Sequence, residues 1–352
     1  MGTRRSRGVT ALAPAVDDAA RDDQWTVEGS SLSDERSRVL KAQDTFGVFD
    51  RYGDIRYIGA SEYGLYHAGT RYLSQFVLTL DGHRPILLNS WVTSDNSLLV
   101  VEMTTPDRYD GDRLRSRKDT LHLFRARLLR EGTLHEHVRV MNYGDVSVGL
   151  TLTVDFGVDF ADVFEVRGIK RERRGSYLPA RVGQHGAELS YRGLDDVRRV
   201  TRVMFDRQPD CIDDDSAEFR IELVPRDSYE LFLSVSCELN DERRVIPSYR
   251  DALELSTHEH EAERALGATV ETSHAQFNEW IHRSIADLHM LTTQTADGPY
   301  PYAGVPWFST PFGRDGIITA WQMLWVEPQI ARGVLQFLAR RQAEHESAEQ
   351  DA

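Results

Sequence analysis

The sequence predicts an antiparallel β-sandwich followed by amphipathic helices, and a change of pattern along the chain carries that prediction. From about residue 40 to 245, short apolar segments alternate with polar residues and are separated by turn residues. From about residue 248, apolar residues instead recur at steps of three and four. Regularly spaced strands with no helical pattern between them are typical of sheets packed as a sandwich, and the second spacing is typical of helices.

Length, charge and cysteine content limit the classes of function. A chain of 352 residues, 40% of them hydrophobic, is long enough for about two packed domains. The net charge of −14 disfavours nucleic acids and anionic membranes as partners, but it does not disfavour neutral polysaccharides. Cys211 and Cys237 have no metal-ligand spacing, which favours reduced thiols and a cytoplasmic location. No apolar run approaches the roughly 20 residues of a membrane span.

Both ends of the chain are predicted to be tails. Residues 1–37 are expected to be disordered: the apolar stretch that follows Arg4 and Arg5 is short and is interrupted by Pro14, which argues against a signal peptide. Residues 344–352 are nearly all polar or acidic. We therefore expect the packed structure to lie between these tails.

The sandwich domain is predicted at residues 38–248, and its first half contains two hairpin signatures. Residues 46–50 and 55–58 flank Tyr52-Gly53-Asp54. Residues 77–80 and 85–88 flank Asp81-Gly82, a pair that suits a tight turn in which both central residues have positive φ.

Further strands are predicted at residues 97–103, 121–129, 134–141 and 146–156. The second and third surround a turn in which Gly132 supplies the left-handed position. The fourth alternates apolar and polar residues, so one of its faces is predicted to be buried. Residues 219–224 and 229–236 predict a late hairpin around residues 225–227.

The region after the sandwich predicts two kinds of helix. Residues 249–295 are interpreted as linker helices, and Phe277, Trp280 and Ile281 begin a broad apolar face. A loop rich in Gly, Pro and Tyr follows, then a helix from about Asp315, then another with Pro328 in its first turn. Such apolar faces need cover, so we expect either a missing part of the polypeptide or another subunit as a partner.

The loop from Tyr300 to Gly316 carries the residues best suited to bind a ligand. Its five aromatic side chains suit the apolar C–H faces of sugar rings. Arg314 and Asp315 offer hydrogen-bond donors and acceptors for sugar hydroxyls, and the glycines beside them allow a close approach of the backbone. In the alternative interpretation Asp315 caps the helix that it opens, Arg314 pairs with it, and the aromatic residues are core.

The segment Pro306-Trp307-Phe308-Ser309-Thr310-Pro311-Phe312-Gly313-Arg314-Asp315-Gly316 resembles the opening loop of the catalytic domain in bacterial glycogen-debranching enzymes of the amylo-α-1,6-glucosidase family. The resemblance implies a glucoamylase-like (α/α)6 barrel that starts at residues 296–343 and is incomplete in this chain. It also implies that Arg314 and Asp315 bind the glucose before the scissile bond, and that Trp307 and Phe308 form walls of that pocket.

The sandwich region is similar to the same family at residues 46–50, 64–67, 70–74 and 159–168. The resemblance extends over residues 38–343. It implies that the last of these segments faces the catalytic domain, which makes Asp159, Asp162 and Glu165 candidate contacts with the cleft or between domains. The alternative is a sandwich loop with exposed acids.

Hydrolysis of a glycosidic bond in this clan needs two carboxylic acids, one as general acid and one as base. The resemblance implies that both come from later barrel helices, so no catalytic residue is assigned and the acids are expected beyond Ala352. The hypothesis is a glycosidase that acts on α-1,6 branch points of glycogen-like glucans with inversion. The alternatives are a non-catalytic glucan-binding module, an inactive truncated fragment, or a related glycosidase for another sugar.

No cofactor or metal site is predicted. The sequence contains no Gly-x-Gly-x-x-Gly, Walker A or Gly-x-Ser-x-Gly motif. His135 and His137 share one face of a predicted strand, but a metal site needs at least a third ligand. We interpret them as a solvent-facing strand edge, and His258 and His260 as exposed helical residues.

Overall fold

The computed structural model describes residues 37–56, 62–110, 113–240 and 242–343. The two predicted tails, residues 1–37 and 344–352, lie outside these ranges apart from Ser37. Within them the chain forms mainly antiparallel sheets followed by a few helices, as the sequence predicts.

The strands, numbered in chain order, are β1 (Arg38–Ala42), β2 (Thr45–Phe49), β3 (Gly64–His67), β4 (Thr70–Leu73), β5 (Gln75–Leu80), β6 (Ile86–Val92), β7 (Leu99–Thr104), β8 (Arg108–Asp110), β9 (Arg113–Ser116), β10 (Leu121–Arg130), β11 (Thr133–Asn142), β12 (Val148–Gly157), β13 (Ser176–Val182), β14 (Gly186–Arg192), β15 (Arg198–Phe205), β16 (Cys211–Ile212), β17 (Ser216–Leu223), β18 (Ser228–Leu239), β19 (Thr292–Thr295) and β20 (Gly298–Pro301). The helices are α1 (Val163–Val166), α2 (Tyr249–Arg264), α3 (Ala275–Leu291), α4 (Gly313–Met323) and α5 (Pro328–Arg340).

Three sheets build the sandwich. The largest has eight strands in the order β13-β14-β15-β18-β11-β10-β7-β6. The other two have four strands each, in the orders β1-β2-β3-β4 and β16-β17-β12-β5. One hydrophobic core draws residues from all three, including Leu40, Val138 and Leu152. Strand β12 alternates buried and half-buried residues along its whole length, as expected for a strand with one face in the core.

Three of the four predicted hairpins are wrong in their pairing. Asp81 and Gly82 do have positive φ, as predicted, but β5 pairs with β12 while β6 pairs with β7 in the other sheet. Strands β17 and β18 are divided between the two sheets in the same way. The turn residues determine the local bend, whereas the sandwich core determines which sheet each strand joins.

The hairpin predicted around Tyr52-Gly53-Asp54 is also wrong. Strand β2 pairs with β1 and β3, and Ile55 instead forms a bridge with Phe76. Residues 57–61, in the second predicted strand, lie outside the described residues. By contrast, β10 and β11 pair as predicted across Glu131 and Gly132, both of which have positive φ.

The interpretation of His135 and His137 as a solvent-facing strand edge is wrong. Strand β11 lies inside the eight-stranded sheet, between β10 and β18. His135 is buried, and the ring of His137 stacks on Phe232 with 4.6 Å between centroids. The alternating pattern of the sequence is the same for an edge strand and for a central strand. It therefore could not show that a later segment covers the outer face of this strand.

The sandwich core contains a network of buried charges. Arg125 forms ion pairs of 2.6 Å with both Glu136 and Asp54, and Arg127 pairs with Glu136 at 2.9 Å. All four side chains are almost completely buried. The neighbouring arginines hold the pKa of Glu136 below its usual range despite burial, while burial and Arg125 lower the pKa of Arg127 to about 10.

The helical region contains helices where the apolar spacing predicts them, and it also contains a short β-hairpin that was not predicted. The hairpin β19–β20 occupies part of the region that was predicted as an irregular loop, and it packs against α5. Tyr300 of this hairpin is fully buried in a second core with Ile330 and Val334. Pro328 occupies the first turn of α5, as predicted. The described helices form no closed barrel.

Candidate functional site

The loop between β20 and α4, residues 302–312, is named here the aromatic loop. It lies against the sandwich, because Val305 and Trp307 pack on a small core that includes Phe46, Tyr66 and Val166. Trp307 is therefore half-buried, whereas Phe308 and Phe312 are exposed and lie edge to face, 5.9 Å between centroids. One side of the loop is thus fixed by packing and the other offers aromatic surface to a ligand.

Tyr302 joins the aromatic loop to the start of the sandwich. Its hydroxyl group donates a 2.8 Å hydrogen bond to Asp44, and the ammonium group of Lys41 lies 5.0 Å from its ring centre. Burial, together with Asp44, raises the pKa of Tyr302. Lys41 itself donates to Thr293 at 2.9 Å and to the carbonyl oxygen of Met290 at 3.2 Å. These bonds connect β1 with α3 and the β19–β20 hairpin.

Arg314 and Asp315 lie in the first turn of α4 with their side chains toward solvent. The Arg314 side chain is 85% exposed, and its Nε atom is 3.8 Å from a carboxylate oxygen of Asp315. Phe312 is the N-cap residue of α4, and no side chain caps the helix. The part of the alternative in which Asp315 caps its own helix is therefore wrong, whereas the part in which Arg314 pairs with Asp315 agrees with the structure. Both side chains keep most of their hydrogen-bonding capacity.

Gly316 serves the fold of this loop. A β-carbon at this position would lie 2.5 Å from the hydroxyl oxygen of Tyr300. That hydroxyl donates a 2.9 Å hydrogen bond to the carbonyl oxygen of Phe312. The glycine therefore lets the buried tyrosine support the start of α4, whereas the sequence suggested a close approach to a ligand.

The three acids predicted to contact the cleft are engaged within the sandwich. Asp159 pairs with the buried side chain of Arg71 through both carboxylate oxygens. Asp162 caps α1 by accepting a 2.9 Å bond from the backbone of Phe164. Glu165 completes this capping box and pairs with Arg174 at 3.3 Å. Their side chains hold residues 159–168 in shape.

The same segment does reach the aromatic loop, through residues that sequence reasoning missed. The guanidinium group of Arg167 lies 5.7 Å from the ring centre of Trp307 and 5.6 Å from that of Phe308. Val166 and Ala161 supply apolar contact in the shared core. No local pattern marks Arg167, because its partners lie far away in the sequence.

The described part of the chain contains no cluster of three or more His, Cys, Asp or Glu side chains arranged to hold a metal ion. Among the described helices, none is long and apolar enough to cross a membrane. The site therefore offers aromatic faces, one cation and one carboxylate, which together can bind a polyhydroxylated ligand by stacking and hydrogen bonds.

The fold is similar to that of a protein assigned as a kojibiose phosphorylase from the human microbiome, with a TM-score of 0.58 and 8% identity. The match covers 85% of this chain and 45% of that one, so the chain spans less than half the length of that relative. A weaker likeness is to a family 92 glycosyl hydrolase, with a TM-score of 0.40 and 11% identity over 81% of this chain and 43% of that one. Another is to a protein assigned as an aldose 1-epimerase from Escherichia coli K12, with a TM-score of 0.34 and 9% identity over 58% of this chain and 99% of that one.

No curated protein sequence matches the chain. A family model for the N-terminal domain of some glycogen debranching enzymes matches residues 40–234, which is more than half of the chain and includes most of the sandwich. The chain therefore belongs to the family defined by the N-terminal domain of some glycogen debranching enzymes.

Proposed function

We propose that the chain forms the sandwich domain and the first helices of a glycoside hydrolase that acts on α-1,6 branch points of glycogen-like glucans. Family membership over residues 40–234 is the observation that carries this proposal. The aromatic loop supports it, because exposed aromatic rings next to the Arg314–Asp315 pair suit a glucose unit.

In this proposal the first turn of α4 and the aromatic loop form part of the donor-glucose pocket. Arg314 donates to glucose hydroxyls and Asp315 accepts from them. Phe308 stacks on the ring, and Trp307 forms the wall fixed against the sandwich. The exposed side chain of Arg314 and the partly exposed side chain of Asp315 support this role, since neither is occupied by a helix cap or a buried partner.

In this proposal the general acid and base lie outside the residues described above. In an inverting reaction the acid protonates the glycosidic oxygen, and the base takes a proton from the water that attacks the anomeric carbon. Neither role is assigned to Asp159, Asp162 or Glu165, because each accepts hydrogen bonds from arginines or backbone N–H groups that fix local structure.

We further propose that additional helices, from a further segment or another subunit, cover the apolar faces of α3, α4 and α5 and supply the two acids. The motivation is the set of large apolar side chains that these helices expose, namely Phe277, Trp280, Ile317, Ile318, Trp321 and Leu335. Apolar surface of this extent is typical of an interface.

Titration of the 352-residue chain with maltotriose tests the pocket. We expect Arg314→Ala and Asp315→Ala each to weaken binding by about fivefold, since each removes a hydrogen bond worth about 1 kcal/mol. Arg220→Ala, an exposed arginine on β17, is the matched control and should leave affinity unchanged. Binding that ignores both site variants would assign the ligand to another surface and overturn the pocket.

An assay of glucose release from a branched limit dextrin tests the placement of the acids. The chain alone should release none. Robust turnover by the purified chain would contradict the placement of the acid and base outside it, even if the binding results held.

A further inference from the structure

A cavity of about 800 Å³ lies on the outer face of the eight-stranded sheet and shares no residue with the aromatic loop. His135, Ser234 and Met204 form its floor, and they are register neighbours on β11, β18 and β15. Residues 243–250, named here the covering segment, form the opposite wall. The volume falls in the range typical of sites for small molecules.

The covering segment is attached to the sheet at both ends. Arg244 donates to the backbone carbonyl oxygen of Glu131 in the β10–β11 turn. At the other end Tyr249 packs in a small core with Leu128 and Ala252, and its ring lies 5.6 Å from that of Phe232. The cavity is therefore preformed by packed side chains.

Two polar side chains that line the cavity are buried without a hydrogen bond. His135 is 2% exposed and Tyr249 is 9% exposed. Within the part of the chain that the structure describes, neither the imidazole nor the phenol has a hydrogen-bond partner, and their polar atoms remain accessible from the cavity. Two polar groups that face one cavity without a protein partner are therefore available to bond a ligand.

The charge of the lining indicates the kind of ligand. The cavity is lined by four arginines, namely Arg202, Arg243, Arg244 and Arg250. Asp206 is the single acid in the lining. Arg202 is paired with Glu188 at 2.8 Å and with Glu238 at 3.0 Å, which offsets its charge. The other three pair with no carboxylate among the described residues. The first turn of α2 also lines the cavity and adds the positive end of the helix dipole. This concentration of positive charge stands out in a chain of net charge −14.

We propose that this cavity binds a small molecule that carries a phosphate group. Arg243 and Arg250 hold the phosphate, because the planar guanidinium fork matches its oxygens. His135 and Tyr249 bond to hydroxyl groups of the remainder, and Phe232 and Met204 provide apolar surface. Burial and Arg130 lower the pKa of His135 to about 4, so near pH 7 its neutral ring offers one donor and one acceptor.

Calorimetric titration of the 352-residue chain with glucose 6-phosphate, inorganic phosphate and glucose tests the proposal. We expect both phosphates to bind and glucose not to bind at this cavity. The double variant Arg243→Ala/Arg250→Ala should weaken both phosphates at least about tenfold, since two charge-assisted hydrogen-bond groups are lost. Both arginines are exposed, so the fold should tolerate their removal.

Two further variants sharpen the test. Arg332→Ala removes one positive charge from α5, half of what the double variant removes, and should leave phosphate binding unchanged. Tyr249→Phe removes only a hydroxyl group and should weaken glucose 6-phosphate by about fivefold with little effect on inorganic phosphate. Failure of both phosphates to bind, or an equal loss in Arg332→Ala, would overturn the proposal. It stands independently of the glycosidase hypothesis, because maltotriose binding and Arg314 play no part in it.

Discussion

The guanidinium group of Arg167 lies 5.7 Å from the centre of the Trp307 ring. Arg167 follows α1 within the sandwich, whereas Trp307 belongs to the aromatic loop that precedes α4. A cation above an aromatic face is attracted by the negative face of the ring. The position of the candidate pocket therefore depends on residues 159–168, whose own shape is maintained by Asp159, Asp162 and Glu165.

Replacing Arg167 should loosen this contact. We expect Arg167→Ala to lower the free energy of unfolding by about 1 kcal/mol, the usual size of an exposed cation–π contact. Hydrogen exchange in residues 302–312 should become faster, because the loop loses one of its attachments to the sandwich. Urea unfolding and exchange followed by mass spectrometry measure the two effects. The control is Arg173→Ala, an exposed arginine nearby, and an equal effect there would contradict a specific contact.

Disrupting the buried charge network should lower the free energy of unfolding more than Arg167→Ala does. Glu136→Gln would leave the guanidinium groups of Arg125 and Arg127 together in the core without their shared carboxylate. Removing one partner of a buried ion pair typically costs about 3–5 kcal/mol, so we expect a loss of that size in urea unfolding. Glu222→Gln on the exposed face of β17 should change stability by less than about 0.5 kcal/mol. A similar small change at Glu136 would mean that the network contributes little.

The fold class was predictable because alternation and helical spacing are local properties of the sequence. The β10–β11 hairpin was predicted correctly, since both strands and the turn at Gly132 lie together in the chain. The partners of β5 and β17 were not predictable in the same way. The turn at Asp81-Gly82 has the predicted geometry, yet β5 and β6 enter different sheets because the core between the sheets decides their partners.

The candidate site was predictable only in part, for the same physical reason. Arg314 and Asp315 remain predictions from a contiguous motif, and the structure places both in the first turn of α4, with Arg314 exposed and Asp315 half-buried. The role of Arg167 depends on two rings from a distant segment, so no local pattern reveals it. His135 was wrongly predicted at a strand edge, because the segment that lines the cavity above it, residues 243–250, lies far along the chain.

The two cysteines should react very differently with a thiol reagent. Cys211 is exposed, whereas Cys237 is fully buried and burial raises the pKa of its thiol, which suppresses the reactive thiolate. We expect one thiol per native chain to react quickly at pH 8 and the second only after unfolding in denaturant. The variant Cys211→Ser should abolish the fast reaction. A fast reaction that persists in this variant would mean that the outer strands open readily around Cys237.

The final prediction concerns Lys41, which connects β1 to α3 and β19. Burial lowers the pKa of this lysine from 10.5 to about 8, with Asp44 opposing the shift. Between these two pH values the unfolded chain keeps the proton and the folded chain has lost it, so the unfolded state binds more protons. Stability attributable to Lys41 must then rise as the pH increases from about 8 to about 10, by up to about 3 kcal/mol.

Comparison with Lys41→Met isolates this effect, because other groups, such as Tyr66 with a pKa raised to about 12, titrate equally in both proteins. Urea unfolding at pH 7, 8, 9 and 10 should show wild type gaining stability relative to the variant across that series. The opposite slope would mean that hydrogen bonds to Thr293 and Met290 hold the charged form, and that the folded pKa lies above the unfolded one. The sign of the slope therefore decides whether this junction favours the neutral or the charged amine.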